Sequence, residues 1–342
     1  MALNRAETTA ENVLLQEESI PDSNAAAKSR LKILTFIPLI TLAIDFILHT
    51  TLPNTQTSGI NKSYDTVLVL VWIIYIGAIL LSIKVKSIID KINHKAPFFL
   101  AISIFIGIWD LVTLKLGWLE LPYFPGPDKV LGIFTEDWAV LLKSTFYSLR
   151  LLLVAYLIGV SSGLLTGITM GWSKTINYWV MPILKVIGPI PATAWIPIAM
   201  VVFPTSFAAS IFLIVLAVWF PVTVMTSSGI SNVRNSYFEV AKTLGADEKY
   251  LIFKVAIPAS YPSIFIGLFM GMGSAFLTLI VGEMLGVKAG LGWYINWAQG
   301  WAEYSKVYAA LIVIAFIFSS LLTSLFRIKD RVLSWQKGLI KW

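Results

Sequence analysis

From Thr66 to Ile83 the chain reads TVLVLVWIIYIGAILLSI, a stretch without a single charge. A run of this length matches the roughly 20 residues that a helix needs to cross the hydrocarbon core of a bilayer. Eight such apolar segments recur, at about 31–52, 65–84, 97–117, 144–170, 177–203, 207–228, 260–287 and 307–327. The chain is 57% hydrophobic and only 13% charged, about half the charged share of an ordinary soluble domain. No water-facing fold hides that much apolar surface, so the solvent is lipid. In lipid each segment must satisfy its own backbone, which makes the fold all-α and integral to the membrane. The first segment is the weakest, interrupted by Pro38, Asp45 and His49. Only Pro204, Thr205 and Ser206 separate the fifth segment from the sixth, which predicts a tight helical hairpin.

Lysine and arginine set the orientation. With an even number of spans both termini share one side. Of the 26 basic residues, Lys62, Lys129, Lys143, Lys288 and Lys306 then fall outside, Lys115, Arg150 and Lys185 fall within spans, and the rest lie inside. Such an excess marks the cytoplasmic side. It also accounts for the formal charge of +7 without nucleic acid as a partner. Residues 1–30 read as a polar cytoplasmic tail, and residues 331–342 as a second one. With no cysteine there is no disulfide framework and no thiolate metal site. The two histidines, His49 and His94, are too few and too far apart in sequence to suggest a metal site. Outside, Trp293, Trp297 and Trp301 recur at helical spacing, the pattern of an interfacial aromatic belt or of a surface for an extracytoplasmic partner.

One polar island stands out on the cytoplasmic side, Glu239–Pro258, EVAKTLGADEKYLIFKVAIP. Ser236 and Glu239 have the spacing of a capping box. Tyr237, Val240, Ala241 and Leu244 share one helical face. Gly245 suits the left-handed residue that ends a helix, Asp247 suits the cap of a second, and Pro258 suits the first turn of a third. The predicted order is helix, sharp turn, helix, membrane. An exposed apolar face of this kind fits a groove on another protein. It fits equally an amphipathic connector lying on the lipid surface.

Glu239, Ala241, Gly245 and Pro258 match the spacing of the EAA motif, and the chain resembles the permease subunits of ABC importers that carry it. Val240 stands where that family usually has alanine. Further stretches resemble the permeases of nitrate, sulfonate, taurine and bicarbonate importers: Leu121–Pro127, Ser148-Leu149-Arg150, Ile190–Pro197, and Glu283 followed by Gly290-Leu291-Gly292. The resemblance implies a type I importer permease core of six spans over residues 96–330, with a cytoplasmic coupling region at 231–258. Two additional spans, 31–95, precede it. It implies an ATPase dimer docked on Glu239, Ala241, Leu244, Gly245 and Pro258, a second permease copy forming a homodimer, and an extracytoplasmic substrate-binding protein. It also implies a bacterial inner-membrane location. The sequence contains no G-x-x-x-x-G-K-[ST] phosphate loop, so ATP and magnesium belong to the partner ATPase, and this chain is a transport subunit with no cofactor of its own.

Charges inside a membrane are functional candidates. Arg150 can attract an anion, or snorkel to the interface. Glu283 can pair with a cation or shape an outer gate. Asp110 and Lys115 are candidates for a pair. The prolines from 189 to 197 break a helix and free carbonyls, which a membrane tolerates only beside protein or a water-filled cavity. Pro191, Trp195 and Met200 are therefore the expected lining of a path. Gly267, Gly271 and Gly273 allow close helix approach. A gradient-driven transporter or a membrane scaffold is the alternative reading. Nothing in the sequence supplies the catalytic constellation of a membrane enzyme.

Overall fold

The computed structural model describes residues 33–56, 63–84 and 86–335. The expected tail at 1–30 lies outside the described residues, as do residues 336–342. All eight apolar segments are helical. The first three form α1 (Ile37–Thr51), α2 (Ser63–Lys84) and α3 (Lys86–Asp110), the last continued by a π-helical turn, Leu111–Lys115. There follow α4 (Pro127–Glu136), α5 (Trp138–Trp172), α6 (Lys174–Ile187), α7 (Ile196–Val202) and α8 (Ser206–Ser231). The chain closes with α9 (Asn235–Thr243), α10 (Glu248–Tyr250), α11 (Ile257–Gly286), α12 (Leu291–Gly300) and α13 (Tyr304–Val332). Among the described residues seven helical stretches are long and apolar enough to cross a bilayer. The fifth apolar segment is instead a bent pair, α6 and α7 with its leading turn, folded by 84°.

The helices fall into two compact units that divide after Trp118. α3, which runs across the boundary expected at residues 95 and 96, packs with α1 and α2 in the first unit. Polar groups join them: Thr41 Oγ1 lies 2.6 Å from Ser103 Oγ, and the Thr35 hydroxyl donates to Asn93 Oδ1 at 2.6 Å. Asp110 and Lys115 do not pair with each other. Asp110 faces His49, 3.1 Å from Nδ1, and His49 Nε2 lies 3.6 Å from Asp65. Lys115 Nζ donates to the carbonyls of His49 and Leu52 and to Asn54 Oδ1. A cation thus covers the free carbonyls at the end of α1, where the helix dipole favours it. The five-residue separation puts the two side chains out of register on a helix, and each finds a tertiary partner.

In the second unit α5 and α8 mesh along their length. Gly159, Gly163, Gly167 and Gly171 line α5 at every fourth position. They face Val218, Val222, Thr226 and Ile230 of α8 in the same order. A Cβ on these glycines would stand 2.7, 2.8, 2.6 and 2.8 Å from the facing Cβ atoms. Only hydrogen fits there, and the closeness replaces the hydrophobic drive that lipid cannot supply. Thr223 Oγ1 donates to the Gly163 carbonyl at 3.3 Å, and the Trp219 indole N–H to Thr166 Oγ1 at 3.1 Å. On its other side α8 packs on α11, where Gly267 comes within 2.9 Å of Met225 as a Cβ would measure it. Gly271 meets Val218 at 3.3 Å, while Gly273 meets nothing within 4 Å. A core of Leu151, Leu152, Val218, Val222, Phe276 and Leu279 fills the centre.

At about 1.5 Å per residue, the 35 residues of α5 exceed the roughly 30 Å hydrocarbon thickness. The helix therefore projects beyond the core of the bilayer or tilts, and it begins and ends outside the expected 144–170.

Candidate translocation path and coupling element

The polar island folds as two short helices around a sharp turn. The chain enters α9 through Arg234, whose backbone is extended. Arginine has no acceptor to offer a free backbone N–H, and α9 has no side-chain cap. The expected capping box is not formed, because Ser236 sits inside the first turn. The other end follows expectation. Gly245 has φ +84°. Its N–H bonds the Lys242 carbonyl at 2.9 Å, and the Ala246 N–H bonds the Ala241 carbonyl at 3.0 Å. These two bonds are a Schellman motif, which satisfies carbonyls that the helix end leaves open. Asp247 Oδ1 then accepts the Tyr250 N–H at 2.9 Å and caps α10.

The helix does not restart at Pro258. Residues Leu251–Ala256 form a π-helical turn that runs from α10 into α11 without interruption. The Ile257 N–H reaches back to the Ile252 carbonyl, and the widened register adapts the helix at a residue with no N–H to give. Two anchors hold the turn to α5: the Trp172 indole N–H donates to Glu248 Oε1 at 2.9 Å, and the Trp172 and Phe238 rings meet edge to face at 5.7 Å. Leu244 is 83% exposed and Val240 62%. Glu239 is exposed beside them, and Ala241 is half-buried. Val240 and Leu244 thus form an exposed apolar ridge on a clamped element.

The second feature is the bend between α6 and α7. Gly188 and the prolines at 189 and 191 end α6, and a 3-10 turn, Ala192–Trp195, restarts the chain. Gly188 carries no side chain because the Phe220 ring occupies its Cβ position. A cavity of about 420 Å³ opens beside the bend. Pro191, Phe220, Met225, Met270 and Thr278 line it, with no charged residue in its wall. Phe220 and Met225 lie in the middle of α8 and Met270 in that of α11, so the cavity sits deep in the helices.

Of the expected path residues, Pro191 lines this cavity. Trp195 and Met200 pack instead on Ile196, Ala199, Ala209 and Leu213. The walls supplied by α8 and α11 escaped notice in the sequence. Ser274 and Thr278, one turn apart in an apolar span, were the signal.

Glu283 lies at neither place. It is 1% exposed, and among the described residues no cation pairs with it. The Ser148 hydroxyl donates to its carboxylate at 2.8 Å, and the Gly292 N–H donates to Oε2 at 2.9 Å. Ser148 Oγ in turn accepts the Leu291 N–H at 2.8 Å. The carboxylate thus sits at the N-terminus of α12, where the helix dipole favours an anion. Gly290, at φ +128°, and Gly292 are free of side chains because Glu283 occupies that space. Nearby, the Tyr294 hydroxyl donates to Asp137 Oδ2 at 2.9 Å. Burial, reinforced by this bond to Asp137, pushes the Tyr294 phenol far up. Lys306 Nζ lies 3.2 Å from Asp137 and 4.9 Å from the Trp297 ring centroid. Arg150 stands over Phe207, its guanidinium 5.5 Å from the ring centroid.

Comparison with known proteins places this arrangement. Residues 159–336 match the family described as binding-protein-dependent transport system inner membrane component. The nitrate import permease protein NrtB of Synechococcus elongatus is 27% identical over 192 residues, 52% of this chain and 67% of that protein. A putative ABC transporter permease protein of Methanocaldococcus jannaschii is 31% identical over 191 residues, 53% of this chain and 70% of that protein. The putative aliphatic sulfonates transport permease protein SsuC of Bacillus subtilis is 30% identical over 169 residues, 48% of this chain and 60% of that protein. A solved chain of the MetNI methionine ABC transporter is 17% identical, with a TM-score of 0.49 over 56% of this chain and 96% of that chain. The chain belongs to the family of inner membrane components of binding-protein-dependent transport systems, the permease subunits of ABC importers.

Proposed function

We propose that this permease imports a small anionic solute by alternating access, driven by a separate ATPase dimer that docks on the α9 ridge. The observation that carries the reading is the exposed Val240–Leu244 ridge, ended by Gly245 in a Schellman motif and clamped to α5 through Trp172. Its residues are Glu239, Ala241, Leu244 and Gly245, with Pro258 at the root of α11. ATP and magnesium sit on the partner, and closure of the ATPases moves α9 and, through the continuous α10–α11 stretch, the spans. The solute passes the cavity at the α6–α7 bend. A second copy of the chain supplies the other half of the path, and an extracytoplasmic binding protein delivers the cargo. Both termini face the cytoplasm. Relatives named for nitrate and for aliphatic sulfonates support an anionic cargo.

The test is uptake into proteoliposomes containing the chain, its co-purifying ATPase and its binding protein. Uptake is expected to require ATP inside the compartment that holds the ATPase. Ala217 also lines the cavity at the bend, and Ala217→Trp, which fills it, is expected to cut uptake at least about tenfold while the ATPase stays bound, equivalent to about 1.4 kcal/mol added to the barrier. Uptake driven by an ion gradient without ATP overturns the reading.

A further inference from the structure

A second cavity lies at the opposite end of α8 from the coupling element. It measures about 490 Å³ and is bounded by α5, the start of α8 and the loop before α12. Lys143, Arg150 and Lys288 line it, with Tyr147, Phe207 and Trp293 as aromatic walls, and no acidic residue takes part. Lys143, Tyr147 and Arg150 follow one another at three- and four-residue steps, so they share one face of α5. Lys288 and Trp293 come from the other side, and the Ser148–Glu283–Gly292 bonds hold their loop against α5. None of the three cations has an ion-pair partner among the described residues; Arg150 has only the Phe207 ring. Glu283, the nearest acid along the chain to Lys288, is bound by Ser148 and Gly292. The basic-residue distribution assigns this end to the outside.

We propose that this cavity is an anion-recruiting site at the outer mouth, which receives an organic anion, a carboxylate or sulfonate with an apolar body, before it enters the path. Three positive charges lining one concave, partly apolar site favour an anion there. The aromatic walls take up the apolar body, and cation and ring together favour Arg150 in its place. Phe207 and Phe220 are thirteen residues apart on α8, so the two cavities stand about 20 Å apart along the helix axis. The inference rests on reading the chain as an importer permease.

The test is calorimetric titration of benzenesulfonate into the full chain in phosphatidylcholine nanodiscs. Saturable binding is expected. Joint Lys143→Gln, Arg150→Gln and Lys288→Gln is expected to weaken it at least about tenfold, and added salt to weaken it too. All three side chains are exposed, so folding is retained, and Lys143→Arg with Lys288→Arg is expected to keep the affinity. Unchanged binding in the triple variant overturns the proposal. So does the absence of benzenesulfonate binding alongside retention of phosphatidylglycerol that the triple variant loses, which makes the cavity a lipid headgroup site. The titration needs no ATPase, so a failed titration beside normal ATP-driven uptake removes this site and leaves the permease reading standing.

Discussion

Ser148 and Glu283 are 135 positions apart and share a hydrogen bond of 2.8 Å in a site closed to solvent. The serine hydroxyl does two jobs there, donating to the carboxylate and accepting from the Leu291 backbone. Ser148→Ala removes both, so the buried carboxylate loses one of its donors and keeps the Gly292 N–H, and the Leu291 N–H loses its hydroxyl acceptor. A cost of at least about 1–3 kcal/mol is expected, read as a lower unfolding temperature of the purified protein. Ser148→Thr keeps the hydroxyl and is expected to lose much less.

The α5–α8 seam gives a second prediction. Gly167→Val places methyl groups where Thr226 and the Thr223 carbonyl already stand. Overpacking of this kind costs typically about 1–3 kcal/mol, and the seam offers little room to relax. Poor recovery from the membrane and early unfolding in detergent are expected. Gly273→Ala, which meets nothing, serves as the control and is expected to behave as wild type.

At the coupling element, Leu244→Asp changes an 83% exposed side chain and is expected to leave the fold intact. It is expected to abolish co-purification of the ATPase and uptake together. Gly245→Ala forces a side chain into the left-handed region at about 1–2 kcal/mol, with open space around it. A partial loss of coupling is expected, measured as reduced ATPase recovery at equal permease yield. Full recovery in both variants points to some other docking surface.

Topology has a direct readout. A reporter fused near residue 295 is expected to be active outside the cytoplasm, and one near residue 235 inside. The reverse pattern contradicts the orientation drawn from the lysines and arginines.

Much of this was legible in the chain. Spans follow from apolar length, and the α6–α7 bend follows from its prolines and Gly188. Gly245, with no Cβ, ends its helix and Asp247, with its carboxylate, caps the next, as their residue types dictate. Ser236 does not, because Arg234, two residues earlier, already takes the cap position. Partner choice was less legible. Lipid tails are as apolar as leucine, so hydropathy does not say which helices meet, and α3 joins α1 and α2 through polar atoms that each find a mate in three dimensions. The same limit hid the company that Arg150 keeps: Lys288 lies far from it in sequence and lines the same cavity only because Glu283 holds its loop against α5.

The four glycines of α5 carry one more implication. Neighbours interlocked at that distance cannot slide or roll past each other without collision, so α5 and α8 travel as one beam. Whatever angular change a transport cycle demands must then be taken up at its joints, the bend at Gly188–Trp195 and the turn at Asn232–Arg234, and stiffening either joint should stall the machine while leaving its parts well folded.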